Sequence, residues 1–200
     1  MTEHYYTKHP ISKPRLGLLR CRLRGHEFEF ITSSGVFSYR RIDAGTRLLI
    51  ESMRLPDSGA ALDLGCGYGP IGIAAAKLRP QILVWMTEVN HRAIALAEKN
   101  ASRNGVDNVS IIEGPLYEPV EGLIFDAIMT NPPISAGMRK AVEPIIEGAT
   151  RHLRPRGFLQ LVVRTTKGGR NLSLLLDRYF GGFEVVARRG GYRVLKAERS

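Results

Sequence analysis

The stretch of sequence that decides the fold is Asp63-Leu64-Gly65-Cys66-Gly67-Tyr68-Gly69-Pro70, which follows an apolar segment and opens a helical pattern. Its alternate glycines let the backbone turn tightly and approach a ligand closely. The free N–H groups and the positive dipole end at the start of the following helix favour a carboxylate or a phosphate group. The stretch therefore predicts a strand, a ligand-binding loop and a helix in succession.

Strand and helix patterns alternate from residue 60 onward, as expected for right-handed βαβ crossovers and a parallel sheet that is covered on both faces. The strands are predicted at Ala60–Leu64, Ile82–Thr87, Val109–Glu113, Ile124–Thr130, Phe158–Arg164, Phe183–Arg188 and Tyr192–Ala197. The helices are predicted at Pro70–Leu78, His91–Asn104, Gly137–His152 and Arg170–Phe180. Because Gly190-Gly191 is a hairpin signal, the last strand should run antiparallel beside its predecessor. The fold class is therefore α/β.

The N-terminal part of the chain differs from this alternation. Residues 1–58 read as an arm, a hairpin and a helix that pack on the domain of residues 59–200, so we expect one compact domain overall. Residues 1–14 lack periodicity and should form an extended arm.

A β-hairpin and a helix are predicted after this arm. Apolar residues alternate in the first hairpin strand with Arg20, Arg22 and Arg24, which should share the outer face. Asp43 can cap a helix that continues to about Met53. The outer arginines are candidates for contact with the phosphates of a polyanion.

The length and the cysteine content limit the class of protein. Two hundred residues suffice for one core, and no apolar run approaches the width of a bilayer or forms a signal segment. Cys21 and Cys66 form no C-x-x-C pattern, and no histidine cluster has ligand spacing. We expect a cytoplasmic protein without a membrane segment, a disulfide framework or a metal site.

The net charge of +10 is distributed unevenly along the chain. Residues 1–60, 61–120 and 121–200 carry formal net charges of +4, −1 and +7. This pattern favours a neutral small-molecule site flanked by surfaces that bind a polyanion. An uneven but merely solvated charge is the alternative.

The glycine-rich loop departs from the dinucleotide-binding pattern. Its last position is Pro70, and the carboxylate of Asp63 would repel a pyrophosphate but would suit an amino group. Glu88 lies 19 residues after Gly69, at the end of the next strand, where it can accept hydrogen bonds from ribose hydroxyls. Amine, carboxylate and ribose together indicate S-adenosylmethionine. Another nucleotide enzyme, or a tight packing turn, remains the alternative.

A second motif, Thr130-Asn131-Pro132-Pro133-Ile134, directly follows the fourth strand of the sheet. The prolines remove two N–H donors, so the segment offers carbonyl acceptors beside the side-chain carbonyl of Asn131. Two acceptors can hold the hydrogens of an NH₂ group and direct its lone pair at a methyl donor. The alternative is a plain turn, but the first and fourth strands flank the crevice of an open sheet, so both motifs should face one cleft.

The sequence resembles the class I S-adenosylmethionine methyltransferases. Within them it is similar to the family that contains the catalytic half of the small-subunit ribosomal RNA guanine-N2 methyltransferase and its single-domain relatives. The resemblance covers nearly the whole chain and rests on His4-Tyr5-Tyr6, Gly35-Val36-Phe37-Ser38, Asp43, Gly45, Thr46, the Asp63 loop, Asn131-Pro132-Pro133 and Gly190-Gly191-Tyr192-Arg193-Val194.

The resemblance implies a Rossmann-like, seven-stranded, mostly parallel sheet whose last strand is antiparallel. It implies cofactor binding by Asp63, Gly65, Gly67 and Glu88, with Cys66 inside the same loop, and an acceptor site at Asn131, Pro132, Pro133 and Ile134.

Two departures from the family pattern concern the bases that would be bound. Gly114-Pro115-Leu116 stands where many such enzymes have an acid that contacts the adenine amine, so the cofactor contacts there should come from the backbone or from elsewhere. Ile134 replaces a frequent aromatic residue, so stacking on the substrate would fall to Phe37 or Tyr192. Phe37 as a plain core residue is the alternative.

We therefore expect a methyltransferase that acts on an exocyclic amine of an RNA base, with guanine N2 of ribosomal RNA as the target. The RNA would be free or part of a partly assembled small subunit. A protein glutamine-amide methyltransferase uses the same Asn-Pro-Pro chemistry, and a non-catalytic RNA-binding or assembly protein is a third reading. The basic flanks favour RNA, and the intact Asn131 and Asp63 favour an active enzyme.

Overall fold

A computed structural model describes residues 13–166 and 169–200, so most of the predicted arm, with its His4-Tyr5-Tyr6 motif, lies outside the described residues. The strands are β1 (Leu16–Leu23), β2 (His26–Ser33), β3 (Gly59–Leu64), β4 (Ile82–Glu88), β5 (Val109–Glu113), β6 (Phe125–Thr130), β7 (Leu153–Arg164), β8 (Glu184–Arg189) and β9 (Tyr192–Glu198). The helices are α1 (Ala44–Ser52), α2 (Pro70–Leu78), α3 (His91–Arg103), α4 (Glu143–His152) and α5 (Gly169–Phe180). No helix among these residues is both long and apolar enough to cross a membrane.

The seven-stranded sheet has the order β5-β4-β3-β6-β7-β9-β8. The first five of these strands are mutually parallel, and β9 runs antiparallel to both β7 and β8. The predicted α/β class, strand number and antiparallel last strand are confirmed. Because β4 and β6 lie on opposite sides of β3, the strand order reverses there and opens a crevice at the carboxyl ends of these strands.

The sheet separates two layers of hydrophobic core. One layer packs against α1, α2 and α3, and the other packs against α4 and α5. Strand β3 shows the alternation, because Ala61 joins the first layer whereas Leu62 and Leu64 join the second. Asp63 projects from the same face as Ala61, towards α2.

The predicted hairpin and its following helix are present. Strands β1 and β2 pair antiparallel, and Asp43 caps α1 by accepting hydrogen bonds from the N–H groups of Gly45 and Thr46 at 2.9 and 3.1 Å. Arg20 and Arg22 are exposed on β1 as predicted. The prediction for Arg24 was wrong, because this residue lies in the turn after β1 with a φ of 45°.

Asn100 of α3 and Asn104, which caps the carboxyl end of α3, attach the hairpin to the main domain. The Asn100 amide bonds both backbone groups of Ile31 at 2.7 and 3.0 Å, and the Asn104 amide bonds both backbone groups of Glu29 at 3.1 and 2.8 Å. Asn100 and Asn104 are four residues apart, a rise of about 6 Å in a helix, and Glu29 and Ile31 are two residues apart, about 6.6 Å in a strand. The spacing of the two amides therefore matches the spacing of the backbone groups that they bond. The side chains of α3 thus bond to the free edge of β2 as a neighbouring strand would.

The segment predicted as a single helix, Gly137–His152, is divided in the structure. Residues Met138–Val142 form a π-helical turn, and α4 begins only at Glu143 with Pro144 in its first turn. Proline has no N–H to donate and its ring crowds the preceding turn, so a regular α-helix is interrupted there. Apolar spacing alone does not reveal this interruption.

Strand β7 begins at Leu153, five residues before the predicted start at Phe158. Leu153 pairs with Phe125, and the register then shifts before Ala127 pairs with Phe158. Arg156 has a positive φ of 64° within this stretch. The irregular backbone interrupts the alternation of side chains from which a strand is predicted.

Candidate active site

A cleft of about 490 Å³ lies at the carboxyl ends of β3, β4 and β6. The glycine loop, the Asn-Pro-Pro segment and residues 36–38 from the N-terminal elaboration meet there. The predicted site residues that line it are Phe37, Gly65, Cys66, Gly67, Glu88, Gly114, Pro115, Leu116, Asn131, Pro132, Pro133, Ile134 and Tyr192. The structure therefore brings the two motifs and both candidate aromatics to one cleft.

The glycine loop turns sharply out of β3. The N–H groups of Gly65 and Cys66 both donate to the carbonyl of Thr87, at 2.9 and 3.0 Å. Gly65 and Gly67 have φ values of 74° and 57°, and a Cβ added at either would meet no heavy atom within 4 Å. A ligand can therefore approach this backbone closely, which a side chain would prevent.

Glu88 connects the end of β4 to the glycine loop. Its Oε2 accepts a hydrogen bond from the N–H of Gly67 at 2.8 Å, and its Oε1 accepts from those of Val89 and Asn90 at 2.8 and 3.0 Å. A carboxylate offers about four acceptor sites, so this one is held rigidly and retains capacity for a further donor.

Asp63 does not line the cleft but lies fully buried beneath the loop. Its Oδ2 accepts a hydrogen bond from the N–H of Gly72 at 2.8 Å, whereas its Oδ1 has no partner within residues 13–166 and 169–200. Burial raises the pKa of this carboxyl to about 7, with a smaller contribution from the charge of Glu88 and an opposing one from the Gly72 hydrogen bond. Direct contact between Asp63 and a ligand amine remains a prediction.

These observations fit the cofactor that the sequence indicates. The buried Oδ1 of Asp63 lacks a donor, Glu88 can accept another hydrogen bond, and Gly65 and Gly67 leave the loop backbone open. A ligand that is an amino acid with an attached ribose requires an acceptor for its amine, an acceptor for its ribose hydroxyls and backbone N–H groups for its carboxylate. Among the described residues, no group of three His, Cys, Asp or Glu side chains is placed to hold a metal ion.

Cys66 lines the cleft as a buried thiol, and its Sγ donates to the carbonyl of Gly67 at 3.4 Å. Burial raises the pKa of this thiol well above its usual value, and the nearby carboxylates of Asp63 and Glu88 act in the same direction. Because the thiolate is the nucleophilic form, Cys66 is not an activated nucleophile.

The amide of Asn131 is oriented by the N-terminus of α1. Its Nδ2 donates to the hydroxyl of Thr46 at 2.9 Å and to the Oδ2 of Asp43 at 3.2 Å. The Oδ1 of Asn131 is then the atom left as an acceptor in the cleft. Sequence reasoning identified Asp43 as a helix cap but missed this contact, since the partners lie far apart in the chain.

The two prolines form a tight turn beside Asn131. The carbonyl of Pro132 accepts a hydrogen bond from the N–H of Ile134 at 2.9 Å, and Pro133 has φ and ψ of −76° and 72°. These values are those of an inverse γ-turn. A carbonyl has two lone pairs, so that of Pro132 keeps one for a second donor.

The outer part of the cleft carries aromatic and cationic side chains. Phe37 is 38% exposed, so it is a surface aromatic of the cleft and not a core residue. Tyr192 packs on α1, where a Cβ added to Gly45 would lie 2.9 Å from its ring. Lys140 and Arg164 also line the cleft, although the sequence patterns did not single them out.

The predicted RNA contacts Arg20, Arg22 and Arg24 do not lie at the cleft. The Nη1 of Arg24 donates to the carbonyl of Met53, beyond the carboxyl end of α1, whereas the cleft lies at the amino ends of α1 and α2. The Nε of Arg20 is bonded to Glu29 at 2.7 Å. The hairpin tip therefore points away from the two motifs.

A sheet of this order, with a glycine loop after β3, an acid after β4 and Asn-Pro-Pro after β6, defines an S-adenosylmethionine-dependent methyltransferase. Comparison with protein families agrees, because the model described as methyltransferase small domain matches residues 27–196. The chain belongs to the methyltransferase small domain family.

Individual relatives extend this result. An uncharacterised Bacillus subtilis protein, YbxB, is 39% identical over 201 residues, which span the whole of both chains. Ribosomal RNA small subunit methyltransferase C of Serratia proteamaculans is 33% identical over 175 residues, which cover 86% of this chain and 49% of that one. This chain thus spans about half the length of the second relative.

Among solved structures, the Thermus thermophilus 16S rRNA N2 guanine methyltransferase RsmC, in complex with AdoMet and guanosine, superposes with a TM-score of 0.83. Its sequence is 27% identical, and the match covers 96% of this chain and 52% of that one. The likeness places this chain among methyltransferases of the RsmC type.

Proposed function

We propose that this protein transfers a methyl group from S-adenosylmethionine to an exocyclic amine of an RNA base, with guanine N2 of ribosomal RNA as the acceptor. The observation that carries the proposal is the fixed amide of Asn131, whose Nδ2 is bonded to α1 so that Oδ1 is the acceptor in the cleft. The names of the C-type relatives and the guanosine bound to the Thermus enzyme favour guanine in ribosomal RNA.

The cofactor side of the cleft is formed by the glycine loop and its neighbours. When bound, S-adenosylmethionine supplies an electrophilic methyl group on its sulfonium sulfur. We assign ribose hydroxyl binding to Glu88 and recognition of the amino group to the loop over Asp63. The apolar rim at Gly114, Pro115 and Leu116 would hold the adenine, with backbone atoms as its polar partners.

The acceptor side is formed by Asn131 and the turn after it. The Oδ1 of Asn131 and the free lone pair of the Pro132 carbonyl can accept the two hydrogens of an NH₂ group and so direct its lone pair. The nitrogen becomes acidic once it is alkylated, so its extra proton can pass to water without a base from this chain. Phe37 or Tyr192 would stack on the base.

A protein glutamine amide presents the same NH₂ group, so the motif does not exclude that acceptor. The cationic lining by Lys140 and Arg164 on the outer side of the cleft favours a substrate with phosphate groups. A ribosomal RNA substrate would place the enzyme in the cytoplasm.

The acceptor can be identified by mass spectrometry of modified nucleosides. Ribosomal RNA from cells that lack the gene should lose N2-methylguanosine at one position, and purified protein with S-adenosylmethionine should restore it on the RNA or on a partly assembled subunit. Recovery of the methyl group only as N6-methyladenosine, or only in protein glutamine, would refute the guanine proposal.

The role of Asn131 can be tested with Asn131→Ala. Loss of an acceptor that orients the amine should lower the single-turnover rate by roughly 10²–10³ while much of the cofactor affinity remains. Calorimetric titration with S-adenosylmethionine provides the control for folding. Transfer at the wild-type rate would show that the Asn-Pro-Pro segment is only a turn.

A further inference from the structure

A row of basic and aromatic side chains crosses the last three strands of the sheet at the cleft. Arg164 of β7 and Arg189 of β8 are both paired in register with Tyr192 of β9. Side chains of residues that are directly opposite in neighbouring strands project from the same face. Arg164, Tyr192 and Arg189, here called the basic row, therefore stand side by side, with the ring of Tyr192 in the middle.

The basic row begins inside the cleft and ends outside it. Arg164 and Tyr192 line the cleft, and the guanidinium carbon of Arg164 lies 5.9 Å from the centre of the Tyr192 ring, within cation–π range. Arg189 is exposed one strand further out. Neighbouring strands are about 4.8 Å apart, so the two arginines start about 10 Å from each other. Lys140 adds a cation from the segment that follows the Asn-Pro-Pro motif.

These cations lack acidic partners. Across residues 13–166 and 169–200, no ion pair forms with Arg164, Arg189 or Lys140. Some arginines elsewhere are paired, such as Arg151 with Glu147 at 3.0 Å and Arg154 with Asp126 at 3.4 Å. A cluster of exposed cations that form no ion pairs, placed beside a ligand cleft, is suited to an anionic partner.

We infer that the basic row and Lys140 bind the phosphate groups on either side of the target nucleotide, in a single-stranded segment of RNA. The inference rests on the proposed function and assigns the RNA contact to this edge of the sheet. A base that is to be methylated must leave its stack and enter the cleft, so its own phosphates remain at the mouth. The two arginines stand on opposite sides of Tyr192, as contact with two different phosphates requires.

The ring of Tyr192 between the two arginines favours RNA over an acidic peptide as the partner. Proteins that bind single-stranded nucleic acid combine a cationic groove with aromatic side chains on which bases stack. Tyr192 provides such a ring at the wall of the cleft that Asn131 also lines. An acidic peptide would use the charges but would have no need of the ring.

The experiment compares two double variants that each remove two positive charges. Arg164→Gln with Arg189→Gln alters the basic row, whereas Arg151→Gln with Arg154→Gln alters paired arginines at the opposite end of β7 and its preceding helix. The probe is a short fluorescent single-stranded RNA with one guanosine, titrated by anisotropy over a series of salt concentrations. Urea unfolding of both variants checks that they fold.

The slope of log K against log salt should become shallower by about 1.4 in the basic-row variant, at about 0.7 per phosphate contact. Affinity at low salt should fall by about tenfold or more. The control variant should keep most of the wild-type slope. Arg189→Gln alone, which lies outside the cleft lining, should change the slope by about half as much.

Two results would overturn the inference. Equal changes in both double variants would show that only the net charge matters, and an unchanged slope in the basic-row variant would show that RNA binds elsewhere. In either case, wild-type methylation of RNA would leave the proposed function intact. Transfer by the wild type to an acidic peptide and not to RNA would overturn the inference and the proposed function together.

Discussion

The side-chain amide of Asn131 can be placed in two orientations, and α1 selects one of them. With Nδ2 towards α1, the amide donates to Thr46 and to the Oδ2 of Asp43. The reverse orientation would set Oδ1 against the carboxylate of Asp43, where two acceptors meet without a hydrogen between them. Asp43 is itself held by the N–H groups of Gly45 and Thr46, so the start of a helix determines which atom the cleft presents.

Thr46 is therefore a positioning residue, and Thr46→Val should slow methyl transfer. The change keeps the shape but removes the hydroxyl, and loss of a hydrogen bond of about 1 kcal/mol should lower kcat by about fivefold to tenfold. We expect KM for RNA and the affinity for S-adenosylmethionine to stay near their wild-type values. Single-turnover kinetics and calorimetry measure these quantities.

Thr46→Ser is the matched control, because it restores the hydroxyl and should recover most of the rate. A valine variant that works at the wild-type rate, or a serine variant as slow as the valine one, would exclude this role for the Thr46 hydroxyl.

At the scale of elements, the hairpin depends on α3 for its edge. Asn100 is fully buried and bonds Ile31 twice, and its Nδ2 also donates to the carbonyl of Tyr68 in the glycine loop at 2.9 Å. Asn104 makes the equivalent pair of bonds to Glu29, closer to solvent, and its Nδ2 also donates to the carbonyl of Asn100, which the backbone N–H of Asn104 bonds as well. The side chain of Asn100 thus joins α3 to both the hairpin and the glycine loop.

Asn100→Ala should destabilise the protein much more than Asn104→Ala. The first change leaves the half-buried N–H and carbonyl of Ile31 and the buried carbonyl of Tyr68 without partners. A buried unpaired group costs about 1–3 kcal/mol and a half-buried one less, so we expect a total of about 3 kcal/mol. Water can replace part of the hydrogen bonding that Asn104 provides to the backbone of Glu29. The free energy of unfolding in urea gives the comparison, and equal losses for the two variants would contradict it.

Local patterns predicted the elements well and their interruptions poorly. The bounds of α2 and β5 agree with the prediction, because apolar periodicity and the flanking glycines and prolines are local signals. The π-helical turn before Pro144 was missed because the prediction followed apolar spacing and not the proline, and the early start of β7 was missed because its irregular backbone interrupts the alternation of side chains. The contact between Thr46 and Asn131 joins residues 85 positions apart, so no local pattern contains it.

At the scale of the whole molecule, the buried carboxyl of Asp63 makes stability depend on pH. In the folded protein this carboxyl has a pKa of about 7, whereas in an unfolded chain its pKa is the ordinary 3.8. Between these values the folded state binds more protons, so the free energy of unfolding falls as pH rises. The contribution of the protonated carboxyl is complete below about pH 4 and is lost as pH rises through about 7.

Asp63→Asn should remove this pH dependence, because the amide keeps an oxygen for the N–H of Gly72 and does not ionise. The wild type should lose on the order of 4 kcal/mol relative to the variant between pH 4 and pH 8. Urea unfolding of both proteins across this range, without cofactor, provides the test. Parallel pH profiles would show that Asp63 ionises as freely in the folded protein as in the unfolded chain.

The position of β9 inside the sheet has a consequence for synthesis on the ribosome. Strand β7 pairs with β9 and not with β8, although β8 comes earlier in the chain. Until residues 192–198 emerge, the nascent chain exposes one edge of β7, whose residues 159–163 are buried in the finished protein. An apolar strand with an open edge is a template for pairing with other chains, so polypeptides that stop before β9 should aggregate during translation.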